Sequence, residues 1–128
     1  MRVLTFKYVT PRKAEKCAQE IIKFLLDNDL WDGVCIYVNG YRYKSERDNS
    51  GKLCVVKEED TDPRGYFSYV NEQHFISMSF EGAFRGLINC DWLGGESDKL
   101  RDEFDDILQK YGYYYELGNH WNLSAYKI

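Results

Sequence analysis

Ser97-Asp98-Lys99-Leu100-Arg101-Asp102-Glu103-Phe104-Asp105-Asp106-Ile107-Leu108-Gln109-Lys110-Tyr111-Gly112-Tyr113-Tyr114-Tyr115-Glu116-Leu117 is where the pattern of the chain changes period. In its first part Leu100, Phe104, Ile107, Leu108 and Tyr111 recur at helical spacing and form one apolar stripe, with charged side chains on the opposite side. Ser97 predicts the N-cap, and Gly112 stands where a helix ends on a left-handed residue. Tyr113 to Leu117 and His120 to Lys127 then read as strands joined at Gly118-Asn119. A striped helix feeding straight into a hairpin buries its stripe best against a sheet, which sets the class as α+β. Leu100, Phe104, Ile107, Leu108, Tyr113, Tyr115, Trp121 and Leu123 are its expected contributions to the core.

Working outward, the start of the chain gives the same alternation of element types. Residues 2 to 9 place Leu4, Phe6 and Tyr8 on one side and Thr5, Lys7 and Val9 on the other, the period of a half-buried strand. Thr10-Pro11 predicts a helix start, because Thr caps free N–H groups and Pro at the first helical position lacks a donor that would go unpaired anyway. Ala14, Cys17, Ala18, Ile21, Ile22 and Leu25 form its apolar stripe, and the helix should end near Asn28. Val34 to Val38 and Tyr41 to Lys44 flank Asn39-Gly40, whose residues tolerate the positive φ that a type I′ hairpin turn requires. A turn at Arg47 to Gly51 precedes a third strand, Leu53 to Glu58. Further on, Asp62-Pro63 predicts a short helix through Val70, and His74, Ile76, Met78 and Phe80 alternate as a strand. Four glycines interrupt the apolar residues between Gly82 and Gly95, which reads as an irregular or short-helical segment over the core.

The expected architecture is a single α+β domain over residues 1–128, in the order βαβββ-βαββ. Its mainly antiparallel sheet has about six or seven strands, with both long helices packed on one face. Side chains such as Arg42, Lys44, Tyr114 and Glu116 are expected on the other, exposed face.

Composition narrows the function classes. At 128 residues and 44% hydrophobic, the chain can bury a core without staples. The net charge of −4 conceals a dipole. Residues 1–58 carry 11 Lys/Arg against 8 Asp/Glu, and residues 59–128 carry 6 against 13. That balance argues against direct nucleic-acid binding, which needs a clustered cationic footprint. The 4 Cys, at positions 17, 35, 54 and 90, lack metal-ligand or redox spacing and fit a reducing cytoplasm. No stretch reads as a secretion signal or membrane span. Usage rich in Lys, Ile, Asn and Tyr fits an AT-rich, bacterial host.

Three groups of residues carry candidate chemistry. Asp98, Asp102, Glu103, Asp105 and Asp106, with Asp91 and Glu96, face only Lys99 and Arg101 over the same span. One reading is a solvated helix face, with Glu96 and Asp98 complementing the positive end of the helix dipole. The other is a docking surface, since like charges in adjacent turns repel by a few tenths of a kcal/mol per pair and a sequence that keeps them can use their field. The natural target is a basic patch on another protein, with Trp92 as an aromatic anchor. A second group, His74, Glu116 and His120, would serve a metal or acid/base site, although His120 beside a turn also fits a surface or capping role. The third is Cys90 in Asn89-Cys90-Asp91-Trp92, where acidic neighbours oppose a reactive thiolate. Gly94-Gly95-Glu96-Ser97 matches no phosphate-binding fingerprint, and Asp91, Glu96 and Asp98 would repel an anion.

Two resemblances frame these groups. In size, acidity, aromatic richness and lack of a catalytic signature, the chain resembles small single-domain inhibitors of phages and mobile elements, such as anti-CRISPR and other anti-defence proteins. The resemblance implies an interaction protein that performs no chemistry, needs no cofactor or metal, and occupies a nuclease's basic groove by charge mimicry through Asp98 to Asp106. A toxin-neutralising immunity protein follows the same logic. In element order the chain also resembles the vicinal-oxygen-chelate family of glyoxalases and bleomycin-resistance proteins. That resemblance implies a metal held by His74 and Glu116 on strands, though the first half of this chain has no His.

Overall fold

The computed structural model of the chain describes residues 11–59, 76–91 and 94–128. The expected strand at 2–9, the expected helix at 63–70, and the site residues His74 and Trp92 lie outside them. The elements are α1 (Pro11–Asp27), β1 (Val34–Val38), β2 (Tyr41–Arg47), β3 (Leu53–Glu58), β4 (Ile76–Phe80), α2 (Ala83–Ile88), α3 (Gly95–Lys110), β5 (Tyr113–Asn119) and β6 (Asn122–Lys127). The fold is α+β, as the periods imply: the described residues form one open antiparallel sheet of six strands, with two long helices and one short one.

Local chemistry explains the boundaries. Asp29 takes a φ of 57° and ends α1, while Leu30 N–H donates back to the Leu25 carbonyl at 2.7 Å and Asn28 Nδ2 to that of Phe24 at 2.8 Å. Asn39 (φ 54°) and Gly40 (φ 83°) form the β1–β2 turn, both in the left-handed region a type I′ turn requires. Ser97 is not the cap of α3. The helix starts at Gly95, with Gly94 as N-cap at a φ of 120°, a conformation that favours glycine, and the Asp98 N–H donates to the Gly94 carbonyl at 2.9 Å. At the other end Gly112 has a φ of 81° and its N–H donates to the Gln109 carbonyl.

The sheet order is β3-β2-β1-β4-β6-β5. Ile36 stands opposite Tyr43 and Met78, and Met78 opposite Leu123, so these residues share the face that receives the helices. Ala14, Cys17, Ala18, Ile21, Ile22 and Leu25 of α1 are all buried, as the stripe predicts. Phe104 of α3 is the aromatic hub. Its ring lies 5.2 Å from Phe84 of α2, 5.3 Å from Tyr115 of β5 and 6.4 Å from Phe24 of α1. Burying one such ring contributes about 1.5–3 kcal/mol.

Across the opposite face runs a polar row, Glu58, Arg42, Tyr37, Ser77, Ser124 and Glu116, one residue from each strand in register. Arg42, Lys44, Tyr114 and Glu116 share this face as expected, but only its margins are exposed. Tyr37, Ser77 and Ser124 are buried, and the two serine hydroxyls are 2.8 Å apart. A hydroxyl with a hydrogen-bond partner can be buried without the several-kcal/mol penalty of an unpaired one.

Candidate interaction face

The acidic group of α3 is assembled by helical period alone. Asp98, Asp102 and Asp106 fall on the side away from the buried Phe104 and Leu108, and Glu103 and Asp105 lie on the two flanks. Asp102 and Asp106 are exposed, while Glu103 and Asp105 are half-buried. Asp98 differs from the rest because it forms an ion pair with Arg101. Arg101 also donates from Nη1 to the Leu87 carbonyl at 3.1 Å, which ties the start of α3 to the end of α2.

The other cation at the far end of the helix is directed elsewhere. Lys110 Nζ lies 2.7 Å from Glu20 of α1. Among the described residues no cation comes within ion-pair distance of Asp102, Glu103, Asp105 or Asp106. Asp105 registers the consequence: burial, then the charges of Asp102 and Asp106, push its carboxyl above the ordinary range. Four carboxylates with no ion-pair partner among the described residues make this part of the surface negative.

The described members of the other candidate groups form no shared site. Glu116, midway along β5, and His120, in the turn after it, are both exposed. No group of three or more His, Cys, Asp or Glu among the described residues is placed to hold a metal. Cys90 is exposed, with a φ of 60°. Trp121, expected in the core, is 43% exposed because it belongs to the turn before β6 rather than to the strand. No described helix is long and apolar enough to cross a membrane.

Tyr114 is exposed as expected, and sequence reading missed the exposed Leu117 beside this face. Tyr114 and Leu117 of β5 are 43% and 42% exposed. They lie on the strand that α3 covers: the Phe104 ring rests on Tyr115, and Asp105 and Arg101 are close enough to act electrostatically on the Tyr115 phenol, which burial first and then Asp105 push up. Alternation within Tyr113 to Leu117 assigned Tyr113 and Tyr115 to the core and Tyr114 to the exposed face, but the exposure of Leu117 depends on where α3 lands. No protein-family model matches the chain, nor does any curated protein or solved structure.

Proposed function

We propose that this chain is an interaction protein that docks through the outer face of α3 on a cationic surface of another protein, and that it performs no chemistry. A single observation carries the reading: Asp102, Glu103, Asp105 and Asp106 have no cation among the described residues, whereas the carboxylates of the neighbouring helix α1 are all partnered. Keeping four like charges on adjacent turns costs a few tenths of a kcal/mol per pair, and a cationic partner turns that cost into attraction. The partner class we propose is a nucleic-acid-gripping enzyme such as a nuclease, whose groove presents lysines and arginines at phosphate spacing. In that role the chain is an inhibitor of the anti-defence type, and its acidic helix substitutes for the phosphate backbone.

The test replaces Asp102, Glu103, Asp105 and Asp106 by Lys together and follows binding of a labelled oligolysine peptide by fluorescence anisotropy. The wild-type chain binds with an affinity that falls as salt rises, because screening shortens to about 8 Å at physiological ionic strength. The variant, with the same helical circular dichroism, should bind at least about 100-fold more weakly, equivalent to ~2.7 kcal/mol. Equal binding by a folded variant at low salt would sink the proposal.

A further inference from the structure

β5 is the last strand of the sheet, with β6 on its inner side and no partner on its outer side among the described residues. Hydrogen-bonded and non-bonded pairs alternate along an antiparallel ladder, and this fixes which backbone groups look outward. The Ile128 N–H donates to the Gly112 carbonyl at 2.9 Å, so the next hydrogen-bonded pairs are Tyr114 with Tyr126 and Glu116 with Ser124. Tyr115 and Leu117 stand opposite Ala125 and Leu123 at the non-bonded positions, and their N–H and C=O groups therefore point away from β6. The far side of β6 agrees. The Phe80 N–H donates to the Trp121 carbonyl at 2.9 Å, and the same alternation turns the backbone of Leu123 and Ala125 towards β4.

An edge of this kind is a template for one more strand. The surroundings say what kind of strand fits. On the helix side lie exposed Leu117 and, over Tyr115, the α3 flank that carries Asp105; on the other side lie exposed Tyr114 and Glu116. An added strand alternates its side chains between these two surroundings, so it meets a carboxylate on either face and an apolar side chain at Leu117. A second copy of this chain would bring its own α3 against the first, setting uncompensated carboxylates against each other. An extended cationic segment meets complementary charge instead.

We propose that the outer edge of β5 is a docking site for an extended, lysine- or arginine-bearing segment of a partner protein, which adds to the sheet as a further strand. The proposal rests on the acidic-face reading above and supplies its mode: α3 provides the field and β5 the backbone pairing.

The experiment uses the full chain and two labelled peptides of equal charge, one of alternating Lys and Val, the other the same peptide interrupted by Pro so that it cannot donate to a ladder. Binding of the uninterrupted peptide should slow hydrogen exchange at the Tyr115 and Leu117 amides by at least about tenfold, with Tyr114 and Glu116, already paired to β6, unmoved. The Pro-interrupted peptide should bind at least about tenfold more weakly, ~1.4 kcal/mol. Leu117→Pro, which removes an outward N–H at an edge position, should weaken the first peptide and not the second. Equal binding of both peptides with unmoved edge amides overturns strand docking, and if the fourfold lysine variant of α3 still loses binding, the acidic-face reading survives it. Undiminished edge protection by the peptide in that fourfold variant overturns the acidic-face reading while the edge still docks a strand. Slow exchange at Tyr115 and Leu117 in the chain alone overturns the proposal, by showing the edge already occupied within the chain if it is independent of concentration, or by a second copy if it rises with concentration.

Discussion

Helices α1 and α3 are nearly the same length, 17 and 16 residues, lie on the same face of the same sheet, and bury one apolar stripe each. Their outer faces have opposite fates. On α1 every carboxylate has a partner: Glu15 accepts from Gln19 (3.0 Å) and from the Tyr43 hydroxyl (2.5 Å), Glu20 from Lys110 and the Tyr111 hydroxyl (2.6 Å), and Asp27 from Lys23 (2.7 Å). On α3 only Asp98 of the outer-face carboxylates finds a cation among the described residues. The titration directions record the contrast. Glu20 is held below the ordinary carboxylate range, first by its hydrogen bond from Lys110, and Asp105 is pushed above it. Amphipathic pattern therefore tells which side of a helix is buried, but charged faces that look alike in sequence are spent inside the fold in one helix and left over in the other.

The comparison can be broken at its base by removing what the helices share. Phe104→Ala empties the ring position touched by Phe24, Phe84 and Tyr115, and should cost about 3–5 kcal/mol in urea denaturation. The corresponding Leu25→Ala in α1, also fully buried, should cost about 2–5 kcal/mol. A loss under 1 kcal/mol for either would mean that its helix is not docked as described.

Charge substitutions sharpen the comparison at the outer faces. Glu20→Gln removes the Lys110 ion pair and weakens the Tyr111 hydrogen bond, with an expected loss of about 0.5–1 kcal/mol at neutral pH after allowance for the pair's exposure. Because the folded-state value of Glu20 is lowered, its contribution is present above the ordinary carboxylate range and is lost as pH falls through the folded value. Asp105 has the opposite sign. Its raised value means that the folded state holds the proton longer than the unfolded state does, so its ionisation destabilises progressively as pH rises from the ordinary value through the folded one. Asp105→Asn should accordingly gain about 0.2–0.5 kcal/mol at pH 7 and nothing at a pH below both values. Thermal melts across the acid range check both, and equal pH slopes for the two variants would erase the contrast.

The smallest effect concerns rates. Cys17, on the buried side of α1, has its thiol pushed up to about 12, chiefly by burial, whereas Cys90 between α2 and α3 is exposed. Iodoacetamide at pH 8 should alkylate Cys90 well before Cys17, with mass spectrometry of timed digests as the readout. Faster loss of Cys17 would show that the inner face of α1 opens.

Much of this was legible in the residues because it is local. The stripe of α1, the Asn39-Gly40 turn, the left-handed Gly112 and the alternation of β4 each depend on neighbours a few positions away. The misplaced features share another cause. Ser97 looked like a cap, but Gly94, free to take a φ of 120°, starts α3 earlier. Trp121 looked like core on hydrophobicity, and a turn keeps it half out. Within the candidate site, the excess of carboxylates could be counted in the sequence, and their separation from the apolar stripe followed from the helical period. That Lys110 would be drawn to α1, and that β5 would lie at the sheet edge beside Asp105, could not.

Sequence alone determined the class, α+β, and the buried side of each long helix, since hydrophobic period is a property of consecutive residues and survives whatever the tertiary arrangement. Tertiary structure alone decided the strand order β3-β2-β1-β4-β6-β5, the burial of Ser77 and Ser124 on the second face, and the pairing of Glu20 with Lys110 and Tyr111. The physical reason is that neutralising a charge or closing a sheet edge requires groups brought together from distant parts of the chain, and no local pattern encodes which ones arrive.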